Sequence, residues 1–450
     1  MSISGIIIRK VYFPLMEIIK SNKIRTNLNY LQKTEKSALR ELEKLQEEKL
    51  KKLLIHCLTE VPAYKKYENL LPTVEENPIK ALEKLPALTK KSFSENSDLY
   101  FPEGQSADDL IPNRTGGSTG EPVKFFMDRK TVEFYEAARW RGLSWWGIRI
   151  GDPCIMIWGS PIELTQQQNK SYELKEKFLK NRVIIPAYNL NEKDISKYLD
   201  LIKKFKPAYF YGYASALYLF SKILSENGII LKGNYKGVVS TAETLHDFQR
   251  EKIEQVFGCK VINEYGARDG GIIAYQCPQG NMHITMENAI VEILDIRTLE
   301  PVKSGQCGLV AITDLNNYVM PRLRYLVGDT AVLGETCECG RGLLIFTEIT
   351  GREDDIFLSL KGNYIHGHFF NHIVRNLDGI KQFQIIQKDR GNLLLKLIKS
   401  HNFRTEEAES FIAKIIEAMG SVNIDVEFVD EIPPMASGKV RYAVREFPLN

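Results

Sequence analysis

A cluster of glycine and hydroxyl residues is the most concentrated candidate for anion chemistry in this 450-residue sequence. The segment from Arg114 to Pro122 reads RTGGSTGEP. Its glycines let the backbone bend until N–H groups surround an anion, and its serine and threonine hydroxyls donate further bonds. The Lys-Ser/Thr ending of the Walker loop is missing, so a Walker-type phosphate site is excluded. On turn chemistry alone, an ordinary surface loop is the commoner meaning of such a cluster.

Three cysteines and a histidine form a second candidate site. Five residues separate Cys277 from His283, and one residue separates Cys337 from Cys339. These side chains could close a tetrahedral Cys₃His zinc site, although the spacings are not those of a standard zinc finger. With four protein ligands there is no open position for a substrate, so the predicted zinc is structural. The alternative is that Cys277 is a small buried hydrophobic residue, His283 caps a strand, and the Cys-x-Cys pair is incidental.

Four further motifs follow the glycine loop in a fixed order. They read EYGARD at 264–269, RYLVGD at 324–329, GREDD at 351–355 and PMASGKVR at 434–441. With these motifs in this order, the chain resembles the adenylate-forming superfamily of acyl-CoA synthetases, peptide-synthetase adenylation domains and luciferases. Within that superfamily it is most similar to the phenylacetate-CoA ligase-like branch, which includes CapK-type proteins of capsular polysaccharide loci.

The resemblance implies an adenylate-forming acid ligase. ATP and Mg²⁺ would convert a carboxylic acid to an acyl-AMP with release of pyrophosphate, and the acyl group would then pass to an acceptor. Two anions meet in the first step, so positioning and charge neutralisation must supply most of the catalysis. Coenzyme A is the family's commonest acceptor. The alternatives are CapK-type transfer to a sugar or amine, and a degenerate homologue that binds nucleotide without catalysis.

The resemblance also implies residue roles. Lys439 would contact the acyl carboxylate and the α-phosphate, and Asp269 would hold Mg²⁺. Asp329 would accept hydrogen bonds from the ribose, Arg352 would contact ribose or phosphate, and Tyr265 would stack on adenine. Apart from these motifs, each residue has a plainer explanation as core aromatic, turn residue or solvated charge. The hinge of the small domain is predicted at Asp354. The remaining nucleotide-binding positions are predicted at Thr115, Gly116, Gly117, Ser118, Thr119, Gly120, Glu243, Glu264 and Gly266.

Two positions depart from the family pattern. Many members have lysine after the last loop glycine, where this chain has Glu121. Phosphate binding would therefore depend on backbone and hydroxyl groups. The magnesium-binding acid is commonly glutamate, and here it is Asp269, one methylene shorter, so oxygen ligation is retained with a shifted geometry.

The acid-binding pocket is predicted between an aromatic segment and a polar one that precedes Glu264. These segments are Tyr209–Tyr213 and Ser240–Glu243. The aromatic residues favour a planar acid, but they could equally be the core of a strand. The predicted pocket residues are Tyr211, Gly212, Tyr213, Ser240 and Ala242.

The elements that would position these residues follow from the apolar periodicity. From about residue 107 to 350, short apolar runs alternate with helical patterns, which is typical of a layered α/β domain. Residues 381–399 predict a hairpin, 404–420 a helix and 422–429 a strand. We therefore predict an α/β protein with a large domain over 1–350, whose residues 1–106 are mostly helix and loop, and a small mobile α+β domain over 351–450.

Composition limits the partners. The net charge is +3, which gives no basis for nucleic-acid binding. No apolar run reaches the roughly 18 residues of a membrane span. The apolar stretch at 6–16 could be an amphipathic contact with a membrane surface, although packing on the protein itself is the preferred explanation. Seven cysteines without a secretion signal favour a reducing, cytoplasmic location.

Overall fold

The computed structural model describes residues 3–108, 110–114, 123–158, 170–187, 190–352, 356–374, 377, 379–433 and 441–447. Its contacts divide the chain into two compact units. The first comprises Met1–Val327 and Val332–Glu348, and the second comprises Gly328–Ala331 and Ile349–Asn450. The second unit thus includes a short segment of the motif around Asp329 that precedes the predicted boundary at residue 350.

The N-terminal part of the first unit is helical. Leucines recur at helical spacing in the longest of these helices and are buried, among them Leu42, Leu50 and Leu53, as expected for an amphipathic helix packed on a core. The helices span Ile3–Ile7, Phe13–Lys20, Ile24–Thr34, Leu39–Glu60, Pro62–Lys65, Leu71–Glu76, Pro78–Glu83 and Lys90–Glu95, with a π-helical turn at Ile8–Tyr12.

A hairpin frames the predicted phosphate loop. Strands β1 (Ile111–Arg114) and β2 (Lys124–Met127) are antiparallel, and Arg114 lies opposite Lys124. The loop residues 115–122 lie outside the described residues. A long helix, Arg129–Trp145, follows; Asp128 begins it by accepting a 2.8 Å bond from the Thr131 amide.

Within the described residues, an eleven-stranded sheet has the order β10-β11-β12-β13-β9-β8-β7-β6-β5-β3-β4. Strands β4, β3, β5, β6 and β7 are parallel, and β8 and β9 continue antiparallel. The strands are β3 (Cys154–Trp158), β4 (Arg182–Pro186), β5 (Tyr209–Tyr213), β6 (Val238–Thr241), β7 (Val261–Ala267), β8 (Gly271–Gln276), β9 (Met282–Ile284), β10 (Ala289–Leu294), β11 (Cys307–Asp314), β12 (Tyr325–Gly334) and β13 (Ile345–Arg352).

Helices connect the parallel strands and cover the sheet. One core cluster joins Phe210 of β5 to Phe220 and Phe257 of two such helices. Buried strands packed between helices are typical of an α/β layer. The helices span Lys170–Lys180, Ile195–Phe205, Ala214–Glu226 and Asp247–Phe257.

The second unit has its own core, in which Phe383, Phe411 and Ile415 are buried. Its four-stranded sheet has the order β18-β17-β16-β19. The predicted hairpin turn is present: Asp389 Oδ1 accepts bonds of 2.8 and 3.0 Å from the amides of Gly391 and Asn392. The elements are β14 (Ile356–Leu358), β15 (Tyr364–His366), helix His368–Val374, β16 (Ile380–Gln387), β17 (Asn392–Lys399), helix Thr405–Met419, β18 (Asn423–Phe428) and β19 (Ala443–Arg445).

The predicted fold class, a large layered α/β unit with a smaller α+β unit, is confirmed. Among the described helices, none combines the length and the apolar character that a membrane crossing requires.

Candidate functional site

The predicted pocket residues lie at the carboxyl ends of neighbouring parallel strands. Gly212 of β5 is opposite Ser240 of β6, and Thr241 of β6 is opposite Glu264 of β7. Ligands of open α/β sheets bind at this edge, because the loops that follow the strands form a crevice there. The structure therefore brings together the two segments that the sequence assigned to the acid pocket and the start of the EYGARD motif.

Glu264 is the most constrained residue of this edge. Its side chain is buried, and its Oε1 atom accepts hydrogen bonds from the Tyr211 hydroxyl at 2.6 Å and the Thr241 hydroxyl at 3.0 Å. Its Oε2 atom lies 3.4 Å from Nε of Arg139. A buried carboxylate requires such partners, because an unpaired charge in the interior is costly.

Arg139, which the sequence analysis did not identify, supplies the positive charge. It lies on helix Arg129–Trp145 and also donates a 2.7 Å bond to Glu136. Burial acts to lower the pKa of this guanidinium, but the nearby Tyr211, Glu136 and Glu264 outweigh it and hold the pKa well above its ordinary value. Arg139 is therefore a permanent cation beside Glu264. It belongs to no motif, so the linear sequence carried no signal for it.

Several polar atoms around this pair are buried and have no hydrogen-bond partner among the described residues. They are Nε of Arg139, Oε2 of Glu264, Oγ of Ser240 and the hydroxyl of Tyr275, which lies opposite Glu264 on β8. Unsatisfied buried groups are uncommon in native proteins and mark sites where water or a ligand binds.

Aromatic rings surround the end of β5. Trp158 at the end of β3 stacks on Tyr213 with ring centroids 4.1 Å apart and an interplanar angle of 28°. Tyr211 and Tyr213 are buried. Their positions are compatible with both alternatives that the sequence left open, a pocket wall and the core of a strand. Trp158 was not predicted, because an isolated tryptophan at a strand end carries no motif.

The strand end at Ala242 is conformationally unusual. Its φ of 64° is in the left-handed region, which non-glycine residues seldom occupy. The next residue, Glu243, accepts bonds from the Ser215 amide at 2.7 Å and the Ser215 hydroxyl at 2.9 Å. A carboxylate is favourable there, because Ser215 belongs to the first turn of helix Ala214–Glu226. Its predicted contact with nucleotide stays a prediction.

The other residues of the EYGARD motif have defined contacts. The Tyr265 ring meets Phe346 edge-on, with centroids 5.7 Å apart. A Cβ atom at Gly266 would lie 2.5 Å from the carbonyl oxygen of Gly271, so the close approach of β7 and β8 requires glycine there. These contacts explain the residue types structurally, and stacking of Tyr265 on adenine stays a prediction.

Asp269 connects the EYGARD and RYLVGD motifs. Its carboxylate is buried and accepts a 2.7 Å hydrogen bond from the hydroxyl of Tyr325, the second residue of RYLVGD. Lys90 Nζ lies 3.9 Å from the same Oδ2 atom, and Arg322 donates a 2.9 Å bond to the Asp269 carbonyl. Neither Lys90 nor Arg322 was predicted from the sequence. Their positive charges would limit the directions from which a metal cation could approach the Asp269 carboxylate.

Residues adjoining the RYLVGD and GREDD motifs meet within the second unit. The hydroxyls of Thr330 and Thr350 are 2.6 Å apart, and Thr330 also donates to the carbonyl of Gly351 at 3.2 Å. Asp329 is buried. The Arg352 side chain, the phosphate-loop residues Thr115–Gly120, the proposed hinge Asp354 and Lys439 lie outside the described atoms, so their roles stay predictions.

The predicted metal ligands converge. The ligand atoms of Cys277, His283, Cys337 and Cys339 all lie within 4.8 Å of one another. Cys277 Sγ is 3.8 Å from Cys337 Sγ, and Cys339 Sγ is 3.1 Å from His283 Nε2. A tetrahedron with Zn–S bonds of about 2.3 Å has edges of about 3.8 Å, so the sulfur spacing fits a zinc ion.

Neighbouring strands produce this convergence. Cys277 directly follows β8, and His283 lies on β9, where it is opposite Ile345 of β13. The loop between β12 and β13 carries the Cys-x-Cys pair. Residues sixty positions apart therefore meet because β8, β9 and β13 are adjacent in the sheet.

Groups around the ligands fit the metal assignment. His283 Nδ1 lies 3.3 Å from the carbonyl of Leu343, which leaves Nε2 facing the cysteines. Asn281 donates a 3.2 Å bond to Cys337 Sγ. Burial lowers the pKa of His283 to about 4. The neutral imidazole is the form that ligates metal.

The metal-ligand loop packs against the N-terminal helices. A Cβ atom at Gly342 would lie 1.9 Å from the carbonyl of Ser37, so only glycine fits there, and the Gly342 amide donates to Glu35 O at 3.1 Å. Trp145 contacts His283 edge-on and donates a 2.8 Å bond to the Glu35 carboxylate. The cluster thus fixes a loop between helices and sheet, a structural position.

Comparisons with known proteins agree with these features. A family model described as the CapK C-terminal domain matches residues 357–446. The chain is 24% identical to protein CapK of Staphylococcus aureus over 378 residues, which cover 81% of this chain and 80% of that protein. It is 24% identical to the phenylacetate-coenzyme A ligase of Thermus thermophilus over 399 residues, 84% of this chain and 86% of the ligase.

The structure is similar to that of 2-hydroxyisobutyryl-CoA ligase in the postadenylation state. The TM-score is 0.71 at 19% identity, covering 92% of this chain and 91% of the ligase. The resemblance deduced from the motif order is confirmed, and the predicted enzyme class, an adenylate-forming acid ligase, is the class of these ligases. The chain is a homologue of CapK and of the phenylacetate-CoA ligases, with the fold of adenylate-forming CoA ligases and a CapK C-terminal domain at residues 357–446.

Proposed function

We propose that this protein activates a carboxylic acid with ATP and transfers the acyl group to coenzyme A. A carboxylate oxygen attacks the α-phosphorus of ATP, the bond to the β-phosphate oxygen breaks, and pyrophosphate leaves. The thiolate of coenzyme A then attacks the acyl carbonyl carbon, and AMP leaves with the electron pair of the broken C–O bond.

The observation that carries this proposal is the meeting of Tyr211, Thr241 and Glu264 at the carboxyl ends of β5, β6 and β7. Three segments that the motif order assigned to acid and nucleotide binding are adjacent there. Homology to ligases over more than four-fifths of the chain supports the same reaction.

Asp329 and several residues outside the described atoms complete the proposal. The loop Thr115–Gly120 would bind the β- and γ-phosphates, and Lys439 would neutralise the carboxylate and the α-phosphate during attack. A compact ammonium suits a negative centre shared by two groups. Asp329 would accept hydrogen bonds from the ribose hydroxyls, Arg352 would contact ribose or phosphate, and the second unit would rotate at Asp354 between the two steps.

Two metals belong to the proposal. Asp269 would ligate Mg²⁺, whose preferred ligands are carboxylate oxygens and water. The Cys277, His283, Cys337 and Cys339 cluster would hold a structural zinc ion. Four protein ligands leave this zinc without a position for substrate, so it would stabilise the first unit and take no part in acid activation.

A second candidate differs only in the acceptor. In this candidate the acyl group passes to a hydroxyl or amine, such as that of a sugar, which is the acceptor that the resemblance to CapK-type proteins of capsular polysaccharide loci implies. Both candidates share the adenylation step, so they separate only in the second step. A cytoplasmic location, where ATP and coenzyme A are available, is part of both proposals.

The experiment is acid-dependent release of pyrophosphate across aryl, fatty and amino acids, with and without coenzyme A. Release with one acid class, followed by a thioester when coenzyme A is present, is the expected result. An acyl-AMP that persists with coenzyme A but is consumed by an amino sugar would favour the second candidate. No release with any acid, although ATP binds, would contradict both and favour a nucleotide-binding homologue without catalysis.

A further inference from the structure

The N-terminal helix exposes its apolar face. Along the segment Ile3–Lys20, apolar side chains recur every three or four residues on the outside: Ile7 is 42% exposed, Val11 54%, Leu15 48% and Ile18 74%. The opposite side is buried and includes Glu17. A surface helix of a globular protein normally places its apolar stripe inward. This segment buries Ile8 but leaves a further apolar stripe exposed to solvent.

Specific contacts hold the helix in that orientation. The Arg25 amide donates a 2.8 Å bond to the buried Glu17 carboxylate, and the Arg25 guanidinium pairs with its other oxygen. A Cβ atom at Gly151 would lie 2.6 Å from the carbonyl of Gly5 and 3.3 Å from Cβ of Ile8. The inner face is therefore packed closely on the first unit, and the outer apolar stripe is not used by that packing.

A second helix extends the apolar surface. Lys170–Lys180 contacts the turn Ile8–Tyr12 and exposes Leu174 at 55% and Phe178 at 59%, one helical turn apart. Two segments that are distant in the sequence are thus in contact, and each of them exposes apolar side chains. We call the following set the apolar patch: Ile7, Val11, Leu15, Ile18, Ile19, Leu174 and Phe178.

Positive charge accompanies the apolar patch. Residues 3–25 contain five lysines or arginines and one glutamate, and residues 170–180 contain four lysines and two glutamates. Together these two segments carry a net charge of +6, whereas the whole chain carries +3. The rest of the chain is therefore net negative, and the basic excess is concentrated around the apolar patch.

A basic cavity borders the same helix. Its volume is about 800 Å³, and its lining includes Arg9, Lys23 and Arg149, the ion pair of Glu17 with Arg25, and Ile18 of the apolar patch. A pocket of this size accommodates a small polar group such as a phospholipid headgroup. Guanidinium groups bind phosphate with two parallel hydrogen bonds.

We propose that the apolar patch docks onto a bilayer surface that contains anionic phospholipid. The helix would lie in the plane of the membrane, with its apolar side chains among the acyl-chain ends and its basic side chains at the phosphates. Both the apolar stripe and the charge excess fit this partner. A second copy of the chain would instead bring two strongly positive surfaces together, which is unfavourable.

The test is flotation of the full-length protein with vesicles of phosphatidylcholine containing about 30% phosphatidylglycerol, compared with pure phosphatidylcholine. The wild type should float with the anionic vesicles and be released by about 1 M salt. The double substitution Ile18→Glu and Ile19→Glu should reduce the floated fraction about fivefold or more. Both positions are largely exposed, at 74% and 66%, so folding should be retained.

The matched control is Ile230→Glu, an apolar residue 57% exposed in another part of the first unit, which should float like the wild type. Light scattering of the wild type and the double variant measures their oligomeric state in solution. Failure of the wild type to float, or equal flotation of the double variant, would overturn the proposal. A wild-type dimer that the double variant converts to monomer, without flotation, would assign the apolar patch to self-association instead.

Discussion

Tyr211 of β5 donates a 2.6 Å hydrogen bond to Glu264 of β7, across the parallel strand β6 that lies between them. The bond joins the predicted acid pocket to the predicted nucleotide motif at the carboxyl edge of the sheet. Because both groups are buried, the bond is not exchanged with water, and the orientation of the Glu264 carboxylate depends on it.

Replacing Tyr211 by phenylalanine should lower the catalytic efficiency of acyl-AMP formation about tenfold, since loss of one donor to a buried carboxylate costs roughly 1–3 kcal/mol. The matched control is Tyr209→Phe, a buried tyrosine on the same strand but farther from its carboxyl end. Efficiency is measured by pyrophosphate release against acid concentration. Equal efficiency of the two variants, with only a lower unfolding temperature for the Tyr211 variant, would show that the bond is structural.

Magnesium dependence tests Asp269. The Asp269→Asn variant keeps a hydrogen-bond acceptor for Tyr325 but loses the negative charge, so the Mg²⁺ concentration for half-maximal adenylation should rise about tenfold. The Tyr325→Phe variant removes the 2.7 Å bond and keeps the charge, so its Mg²⁺ dependence should be unchanged. If the two variants required the same Mg²⁺ concentration as the wild type, Asp269 would not be a magnesium ligand.

Zinc content tests the cysteine–histidine cluster. The purified protein should contain about one zinc ion per chain, and Cys339→Ser should lose most of it. The unfolding temperature of the variant should fall by several degrees, since metal binding stabilises the folded state alone. Cys307→Ser, at an exposed cysteine outside the cluster, is the control and should keep its zinc. Wild-type protein that is free of metal and equally stable would contradict the assignment.

A pH effect on stability is expected at Lys49. Its ammonium donates to the Glu287 carbonyl at 2.6 Å and to Asn316 at 3.0 Å, and burial lowers its pKa from 10.5 to about 8. Between these two pH values the unfolded chain binds a proton at Lys49 that the folded chain does not bind. The contribution of this residue to the free energy of unfolding therefore rises with pH in that window.

Urea unfolding at about pH 7 and about pH 10 measures this effect. The wild type should gain stability relative to Lys49→Met as the pH rises from about 8 to about 10.5. Lys52→Met, at an exposed lysine of the same helix, should show no such change relative to the wild type. A difference between wild type and Lys49→Met that is independent of pH would refute the assignment.

Much of the fold and part of the site were predictable, for physical reasons that differ between residues. Motif order and strand–helix alternation predicted the α/β unit and the neighbours of Glu264, because parallel strands place successive carboxyl ends at one edge. The convergence of three cysteines and a histidine was predictable from the types of these residues. The closure of this cluster depends on the adjacency of β8, β9 and β13, which spacing does not reveal.

Other features had no local signal. Arg139 lies on a helix without a motif and meets Glu264 only through the packing of that helix against the sheet. The N-terminal apolar stripe has the period of an ordinary amphipathic helix, and periodicity does not tell which face points inward. From the sequence, packing of this stretch on the protein itself is the preferred expectation. The structure shows packing through the face of Gly5, Ile8 and Glu17, and exposure of the apolar face.

The most direct test of the central claim is acid-dependent exchange of pyrophosphate into ATP by the wild type and by Lys439→Ala. The control is Lys388→Ala, an exposed lysine of the same unit. The account predicts exchange with one acid class in the wild type and the control, and a loss of about a hundredfold or more in the Lys439 variant, with ATP binding largely retained. Exchange by the Lys439 variant at the wild-type rate would contradict the proposed mechanism.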